Sequence, residues 1–487
     1  MAKRNSSGQN RQAQHPESGK SSRHDKRKRL DNPNPKRKKT KKAQVPLTMP
    51  IKELVAMMTS TLDVRIALRL TIICAGFLLA NGRKTVSSWL EAAGVKDDWD
   101  RFYDCLISTG KQAQRIAKEI VKIILQQVPL NDGEPIRLAL DDSPTSRFGR
   151  HVEGAGVHHN PTQGTADGKW LYGHSWVTLA WLAKHPSWGT IALPVLSKLY
   201  VRQVDIEKLK EKYDWNFRTK LELGVEMLSW LVDLLGELGV KAPLRLAVDG
   251  AYAKANFLKP LADLGVTVFS RLRCDACLFD VPPPRKEGQL GRPRIYGENR
   301  LNLKKRVGQR RAWKTVTYNC RGVEVTRQCK TFLATTRLTG SVIRVVIVKF
   351  DNGWAAYFCT DPNLDMVTIL EMIGDRWAIE EHFHDAKEVH GAGQQQVRNL
   401  WSNIGCWNLV AWMCVLIDLS HWNSSDAEIV DRSTRSWDNP DRRASHADRK
   451  RLLSRKMLHQ HFLTAMVPIP ITRKIKTLIN NVIKLAT

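Results

Sequence analysis

The chain has 487 residues, 42% of them hydrophobic and 26% charged, with 77 Lys+Arg against 48 Asp+Glu. That balance excludes fibrous and wholly disordered classes, and the length exceeds what one hydrophobic core supports, so two or three domains are expected. The net charge of +29 is concentrated, with net +12 in residues 1–45 and net +9 in residues 285–314, a distribution that a polyanion such as nucleic acid reads. The nine cysteines are scattered singly apart from Cys274 and Cys277. They fit a reducing compartment rather than a disulfide framework, and one C-x-x-C without a second pair is a poor zinc signal. No secretory signal opens the chain. The apolar runs Leu70–Ala80 and Ile404–Leu419 fall short of the roughly 20 residues a membrane span needs, so they read as buried helices of a soluble, cytoplasmic protein.

Residues 1–45 carry no apolar period and read as a disordered basic tail, which adds salt-sensitive, sequence-independent affinity for phosphate backbones. From Ile51 to Val128 apolar residues recur at three- and four-residue steps, predicting a helical domain over 46–132 that serves DNA binding or merely packing. The period then changes. Ile136–Asp142, Trp176–Trp181 and Ala192–Val201 read as strands, Thr219–Gly239 as a long amphipathic helix, Leu244–Asp249 as a strand, Ala253–Leu264 as a helix and Val266–Leu272 as a fifth strand. Three strands, helix, strand, helix, strand is the order of an α/β, ribonuclease-H-like core, whose first part is placed at 133–273. Residues 274–362 read as an inserted basic loop and β-rich subdomain, with strands at Trp313–Tyr318, Val323–Thr326, Thr331–Thr335 and Ser341–Val348. Helix returns over Met366–Val389 and Asn403–Trp422, completing the core at 363–425. A basic C-terminal region follows at 426–487.

Asp141/Asp142 and Asp249 stand at the ends of two strands expected to be neighbours, where carboxylates bind hard divalent cations; taken singly, each is equally a turn or cap residue. Arg376, Glu380, Phe383 and Lys387 are spaced 4, 3 and 4 apart and share one helix stripe, which Glu381 leaves. Alone, that stripe reads most simply as a surface ion pair. His382 and His384 invite a metal reading, but residues two apart on a helix face away from each other and do not easily share one ion.

The segment Arg376–Trp377–Ala378–Ile379–Glu380, with Phe383 and Lys387, resembles the Y-(2)-R-(3)-E-(6)-K signature of insertion-sequence DDE transposases, the IS-four-type group and its relatives. Ile373 occupies the tyrosine place. Val248–Asp249–Gly250–Ala251–Tyr252 looks like the second acidic motif and Leu140–Asp141–Asp142–Ser143 like the first. The resemblance covers residues 50–450. It implies a DNA transposase in which Asp142, Asp249 and Glu380 hold two Mg²⁺ ions, roughly 3.5–4 Å apart and replaceable by Mn²⁺, for in-line phosphoryl displacement. Asp141 and Asp142 stay open as first ligand. Strand phase pairs Asp141 with Asp249, while family members with an acid before an Asp–Ser step favour Asp142, to which the reading leans. Arg376 and Lys387 would contact phosphates near the cut.

Gly291–Arg292–Pro293–Arg294 resembles a minor-groove AT-hook core, with a solvated basic loop as the equal alternative. Arg292, Arg294, Lys304, Lys305, Arg306 and Trp313 are candidate DNA contacts, although for Trp313 core packing is the stronger reading. Gln394–Gln396 with Arg398 is a further candidate. The expected partners are double-stranded DNA, as element ends and target, and a second copy in a synaptic complex at the nucleoid. A non-catalytic DNA-binding protein on the same scaffold, and a nuclease without strand transfer, remain the alternatives.

Overall fold

The computed structural model describes residues 50–160, 168–432, 437–439, 441–465 and 472–486; the basic tail at 1–45 lies outside them. Five helices come first: α1 (Ile51–Thr59), α2 (Val64–Leu79), α3 (Val86–Ala92), α4 (Trp99–Lys111) and α5 (Ala113–Gln127). Side-chain caps from Asp63 and Thr85 start α2 and α3, satisfying amide donors that a helix start leaves open. The three- and four-residue spacing buries one stripe of each helix; on α5 that stripe includes Ile116, Ile120, Ile123 and Ile124.

There follow β1 (Ile136–Ser146), β2 (Gly156–His159), β3 (Trp170–His185), β4 (Gly189–Tyr200), α6 (Gln203–Lys210), α7 (Lys220–Glu237), β5 (Leu244–Val248), α8 (Ala255–Asp263) and β6 (Val266–Leu272). A capping box of Thr219 and Glu222 opens α7. β3 pairs antiparallel with β1 and β4, while β5 pairs parallel with β1 and β6. The order is therefore β4-β3-β1-β5-β6. Alternation along β1 divides its side chains between two faces. Leu140 meets α7 at Gly224, so Asp142 shares that face, whereas Arg137 and Asp141 point to the other.

The insertion supplies β7 (Leu278–Phe279), β8 (Arg300–Leu301), α9 (Leu303–Gly308), β9 (Lys314–Cys320), β10 (Val323–Thr336), β11 (Ser341–Phe350) and β12 (Gly353–Cys359). It is not a separate sheet. β12 pairs antiparallel with β6, so core and insertion form one mixed sheet of 12 strands. The segments expected as two strands at 323–326 and 331–335 are the single strand β10, whose first half pairs with β9 and second half with β11.

Last come α10 (Met366–Asp375), α11 (Trp377–Glu388), α12 (Leu400–Leu419), α13 (Asp426–Ile429), α14 (His446–Ala465) and α15 (Arg473–Ala486). α12 is long and apolar enough to cross a membrane, but 94% of that apolar window is buried inside the protein, as expected of a core helix. Its Asn408 side chain bonds both the amide and the carbonyl of Ser197, and its Trp412 indole donates to the Val195 carbonyl at 2.9 Å. Those bonds cover the outer edge of β4, which would otherwise expose unpaired backbone. Toward its start α12 crosses α4 at closest approach: a Cβ on Gly405 would stand 2.2 Å from the Leu106 carbonyl oxygen, and one on Gly110 would stand 1.9 Å from that of Trp401.

The helix expected as continuous over 366–389 breaks at Arg376. Asp375 is buried and held by Arg137 of β1 and the Thr190 hydroxyl of β4, and these anchors turn the chain so that α11 starts over the ends of the core strands.

Candidate active site

Asp141, Asp142, Asp249, Arg376, Glu380 and Lys387 line one open cavity of about 1740 Å³. β1 carries the first two acids. Asp249 follows β5 directly, where parallel pairing of Leu140 with Val248 brings it level with Asp141. Its carboxylate accepts from the Ala251 amide at 3.3 Å, and its carbonyl accepts from the Ser270 hydroxyl at 3.2 Å.

The two neighbouring aspartates have different surroundings. Arg376 donates to Asp141 at 2.8 Å with one nitrogen and to Glu380 with another, so a single guanidinium joins the strand end to α11. Asp142 instead accepts from Lys220 at the start of α7 and from the Tyr252 phenol at 3.0 Å. Burial pushes that phenol well above its ordinary value, and Asp142 and Asp141 push it further, so it stays a donor. Asp142 thus has two partners on its own face of the sheet, away from Glu380. For Asp141, burial pushes the carboxyl up to about 7; Arg376 opposes this, and the charges of Asp142 and Asp249 add to it. A carboxylate so perturbed, in a cleft beside others, marks a candidate functional site.

α11 is held from two sides. Asp375 anchors its start, and the β9–β10 hairpin reaches over it, with Arg321 at φ 57° and Gly322 at φ 80° in the turn. The Arg321 guanidinium lies 3.9 Å from the centroid of the Trp377 ring. Glu380 faces the cavity strands, whereas Glu381 is exposed and stands 3.7 Å from Arg443. Burial lowers the Lys387 ammonium from its usual value. Ile373 packs against the core. His382 is buried and His384 is 71% exposed along its side chain, so they do point apart.

The other basic candidates divide in two. Arg292, Lys304 and Lys305 are exposed, and Arg294 pairs with Glu298 on the same loop. Arg306 and Trp313 act within the insertion: Arg306 stacks 4.2 Å over Phe332, and Lys330 lies over the Trp313 ring while donating to the Arg306 and Gln309 carbonyls. Trp313 is half-buried, with its indole donating to the Gln309 carbonyl at 3.0 Å. Replacing Arg292 and Arg294 by Ala is expected to leave the melting temperature almost unchanged, since exposed charge is worth under about 0.5 kcal/mol. Binding to DNA with an AT-rich flank should weaken more than binding to GC-rich DNA. A gel-shift comparison of the two reads the difference, and equal losses would reduce the loop to plain electrostatics.

Residues beyond the sequence candidates extend the cavity. A second one of about 450 Å³ shares Ser146, Arg147, Phe148 and Gln394 with it and is walled by Arg83, Arg150 and Arg398. Phe148 and Trp170 are 85% and 59% exposed, apolar surface beside basic side chains. Only the Gln394–Arg398 segment of this extension was legible as a candidate; Arg83 and Arg150 carry no spacing signal.

Asp141, Asp249 and Glu380 offer only oxygen ligands. Hard divalent cations fit such a set. The guanidinium of Arg376 supplies the positive charge between Asp141 and Glu380. The sequence matches the family described as DDE superfamily endonuclease over residues 59–331, a stretch that includes Asp141, Asp142 and Asp249 and ends before Glu380. The chain belongs to this family, whose members cut DNA with the help of divalent metal ions. No curated protein matches it.

Proposed function

We propose that this endonuclease is a DNA transposase of the insertion-sequence type, which cuts at the terminal inverted repeats of its element and joins the freed 3′ ends to target DNA. The observation that carries the reading is the single guanidinium of Arg376 shared by Asp141 and Glu380, with Asp249 level on the neighbouring parallel strand. The core is ribonuclease-H-like in this reading, supported by three antiparallel strands followed by two parallel ones with the acids at their ends. The helices at 46–132 form an N-terminal domain, and the protein acts at the nucleoid as a pair of copies bridging two element ends.

Asp141, Asp249 and Glu380 would hold the divalent ions, Mg²⁺ by the hardness of the donors and Mn²⁺ in its place. When bound, such ions activate water or a 3′-hydroxyl and stabilise the leaving oxygen of an in-line displacement. The chain's own residues position the DNA. Asp375 and the Arg321–Trp377 contact fix α11 over the strand ends, so Glu380 cannot drift from Asp141. Arg376 is set to exchange its carboxylate bonds for a phosphate, to which a guanidinium donates with two parallel N–H groups, while Lys387 offers a point charge further along the same helix stripe. The basic walls at Arg83, Arg150 and Arg398 continue the groove for the flanking duplex.

Incubating the full chain with DNA carrying two element ends, Mg²⁺ and a supercoiled target tests the proposal. Nicked ends joined to the target plasmid are expected. Cleavage without joining would leave a nuclease, and no cleavage of end-containing DNA would overturn the catalytic reading.

A further inference from the structure

Two residues in the lining of the same cavity, Cys414 and His446, belong to a second cluster of metal-ligating atoms with a different chemistry. His390, Cys414 and His446 are all buried, and one ligand atom from each lies within 4.8 Å of the other two. They come from three places in the chain: His390 just beyond the end of α11, Cys414 on α12 and His446 at the start of α14. Asp418, one turn beyond Cys414 on the same face of α12, lies behind His446, with its carboxylate 2.6 Å from His446 Nδ1 and 2.7 Å from Arg449 Nε. The Asp418 carboxylate accepts from the Arg449 guanidinium and sits against Nδ1 of His446, so Nε2 is the His446 nitrogen that faces His390. A carboxylate behind one ring nitrogen is the arrangement that orients a metal-binding imidazole.

His390 Nε2 and His446 Nε2 lie 2.7 Å apart and share one hydrogen bond. His382 Nε2 and His390 Nδ1, by contrast, are buried with no hydrogen-bond partner among the described residues. A buried, unpaired imidazole nitrogen costs roughly 1–3 kcal/mol and calls for an explanation. The Phe77 ring stacks on His390 at 4.8 Å and fixes its plane. Cys414, Asp418, His446 and His382 all line the open cavity, which gives an ion a way in.

We propose that His390, Cys414 and His446 form a binding site for a thiophilic transition-metal ion, Zn²⁺ by preference, with His382 or a cavity water as the fourth ligand. Two imidazoles and a thiolate select zinc-like ions over the hard cations that suit Asp141, Asp249 and Glu380. Tetrahedral zinc with N–Zn bonds of about 2.0–2.1 Å sets its nitrogen ligands about 3.3 Å apart, so the two rings part by about 0.6 Å on loading. The ion would tie the end of α11, the helix of Glu380, to α12 and α14. It is a positioning site, distinct in donor chemistry from the phosphoryl-transfer site.

Cobalt(II) replaces zinc and reports a thiolate ligand through a charge-transfer absorption. The exposed pair Cys274 and Cys277 is removed first, so the probe is Co²⁺ titrated without DNA into the full-length Cys274→Ser/Cys277→Ser protein, purified free of metal. About one Co²⁺ per chain with a thiolate band is expected. The band should disappear in Cys414→Ser and persist in Cys406→Ser and in Glu380→Gln. Asp418→Asn, which keeps every ligand, should weaken Co²⁺ binding by roughly 10–100-fold. No band in the folded parent, or a band that survives Cys414→Ser, would show a hydrogen-bonded cluster only and overturn the site. If Cys414→Ser does not fold, the parent titration and the Asp418→Asn shift decide the matter. Because no DNA is present, the result is independent of whether the chain cuts or joins.

Discussion

Glu380→Gln is expected to lower Mg²⁺-dependent nicking of an end-containing duplex by several orders of magnitude, while Glu381→Gln stays within a few-fold of the parent. The two residues are adjacent carboxylates on α11, so composition and local charge treat them alike. Their surroundings do not. Glu380 shares Arg376 with Asp141, whereas Glu381, exposed in the lining of the same cavity, has only Arg443 at 3.7 Å as an ion-pair partner among the described residues, an exposed pairing worth a few tenths of a kcal/mol. Glutamine keeps the shape and helix propensity of glutamate and still accepts a bond from Arg376. What it lacks is the charge of a metal-ligand carboxylate, and metal-stabilised charge supplies several kcal/mol of barrier reduction. DNA binding should survive in both variants, because one negative charge near phosphate is removed from each. Nicking is measured at equal DNA occupancy and after checking that the melting temperatures agree. Comparable activity in the two, or a live Glu380 variant beside a dead Glu381 one, refutes the assignment.

The stripe that separates these two glutamates was legible in the sequence because helical periodicity is local: Arg376, Glu380 and Lys387 fall on one side whatever the rest of the chain does. The strand order was legible for a similar reason, since alternating and continuous apolar runs mark each strand independently. Long-range pairings were not. β12 (Gly-Trp-Ala-Ala-Tyr-Phe-Cys) has no clean alternation, so nothing local announced that it would join the insertion to β6. The break at Arg376 depends on Arg137 and Thr190, far away in sequence, and the helical pattern runs through it undisturbed. The cluster of His390, Cys414 and His446 is likewise drawn from the turn after α11 and from two separate helices with no spacing signature, whereas the adjacent-looking His382 and His384 point apart. Only the packing of α11, α12 and α14 brings those ligands into one place.

Asp141→Asn is expected to abolish cleavage as completely as Glu380→Gln, and Asp142→Asn to reduce it by no more than about tenfold. The sequence leaned the other way, to Asp142, on the resemblance of the Asp–Ser step. Strand phase already pointed to Asp141, and the geometry adds a reason. Residues one apart on β1 point to opposite faces. Asp141 shares its face with Arg137 and reaches Arg376, while Asp142 shares its face with Leu140 and is bound by Lys220 and Tyr252. An aspartate with a phenol and an ammonium as partners needs no cation. Asp142 therefore ties α7 and the turn after β5 to the strand end, and its loss should appear chiefly as stability. Replacing its charge weakens two partly exposed bonds, on the order of 1–2 kcal/mol, which lowers the melting temperature by roughly 1–2 °C in a chain of this size without removing a catalytic ligand. Asp141→Asn has the opposite signature. It relieves a carboxyl that burial and two neighbouring acids have pushed up to about 7, so the fold should be as stable as the parent or more so while the site is dead. Thermal melts and single-turnover nicking of the two variants at saturating Mg²⁺ separate the roles. An active, unstable Asp141 variant beside an inactive, stable Asp142 one would move the first catalytic acid to Asp142.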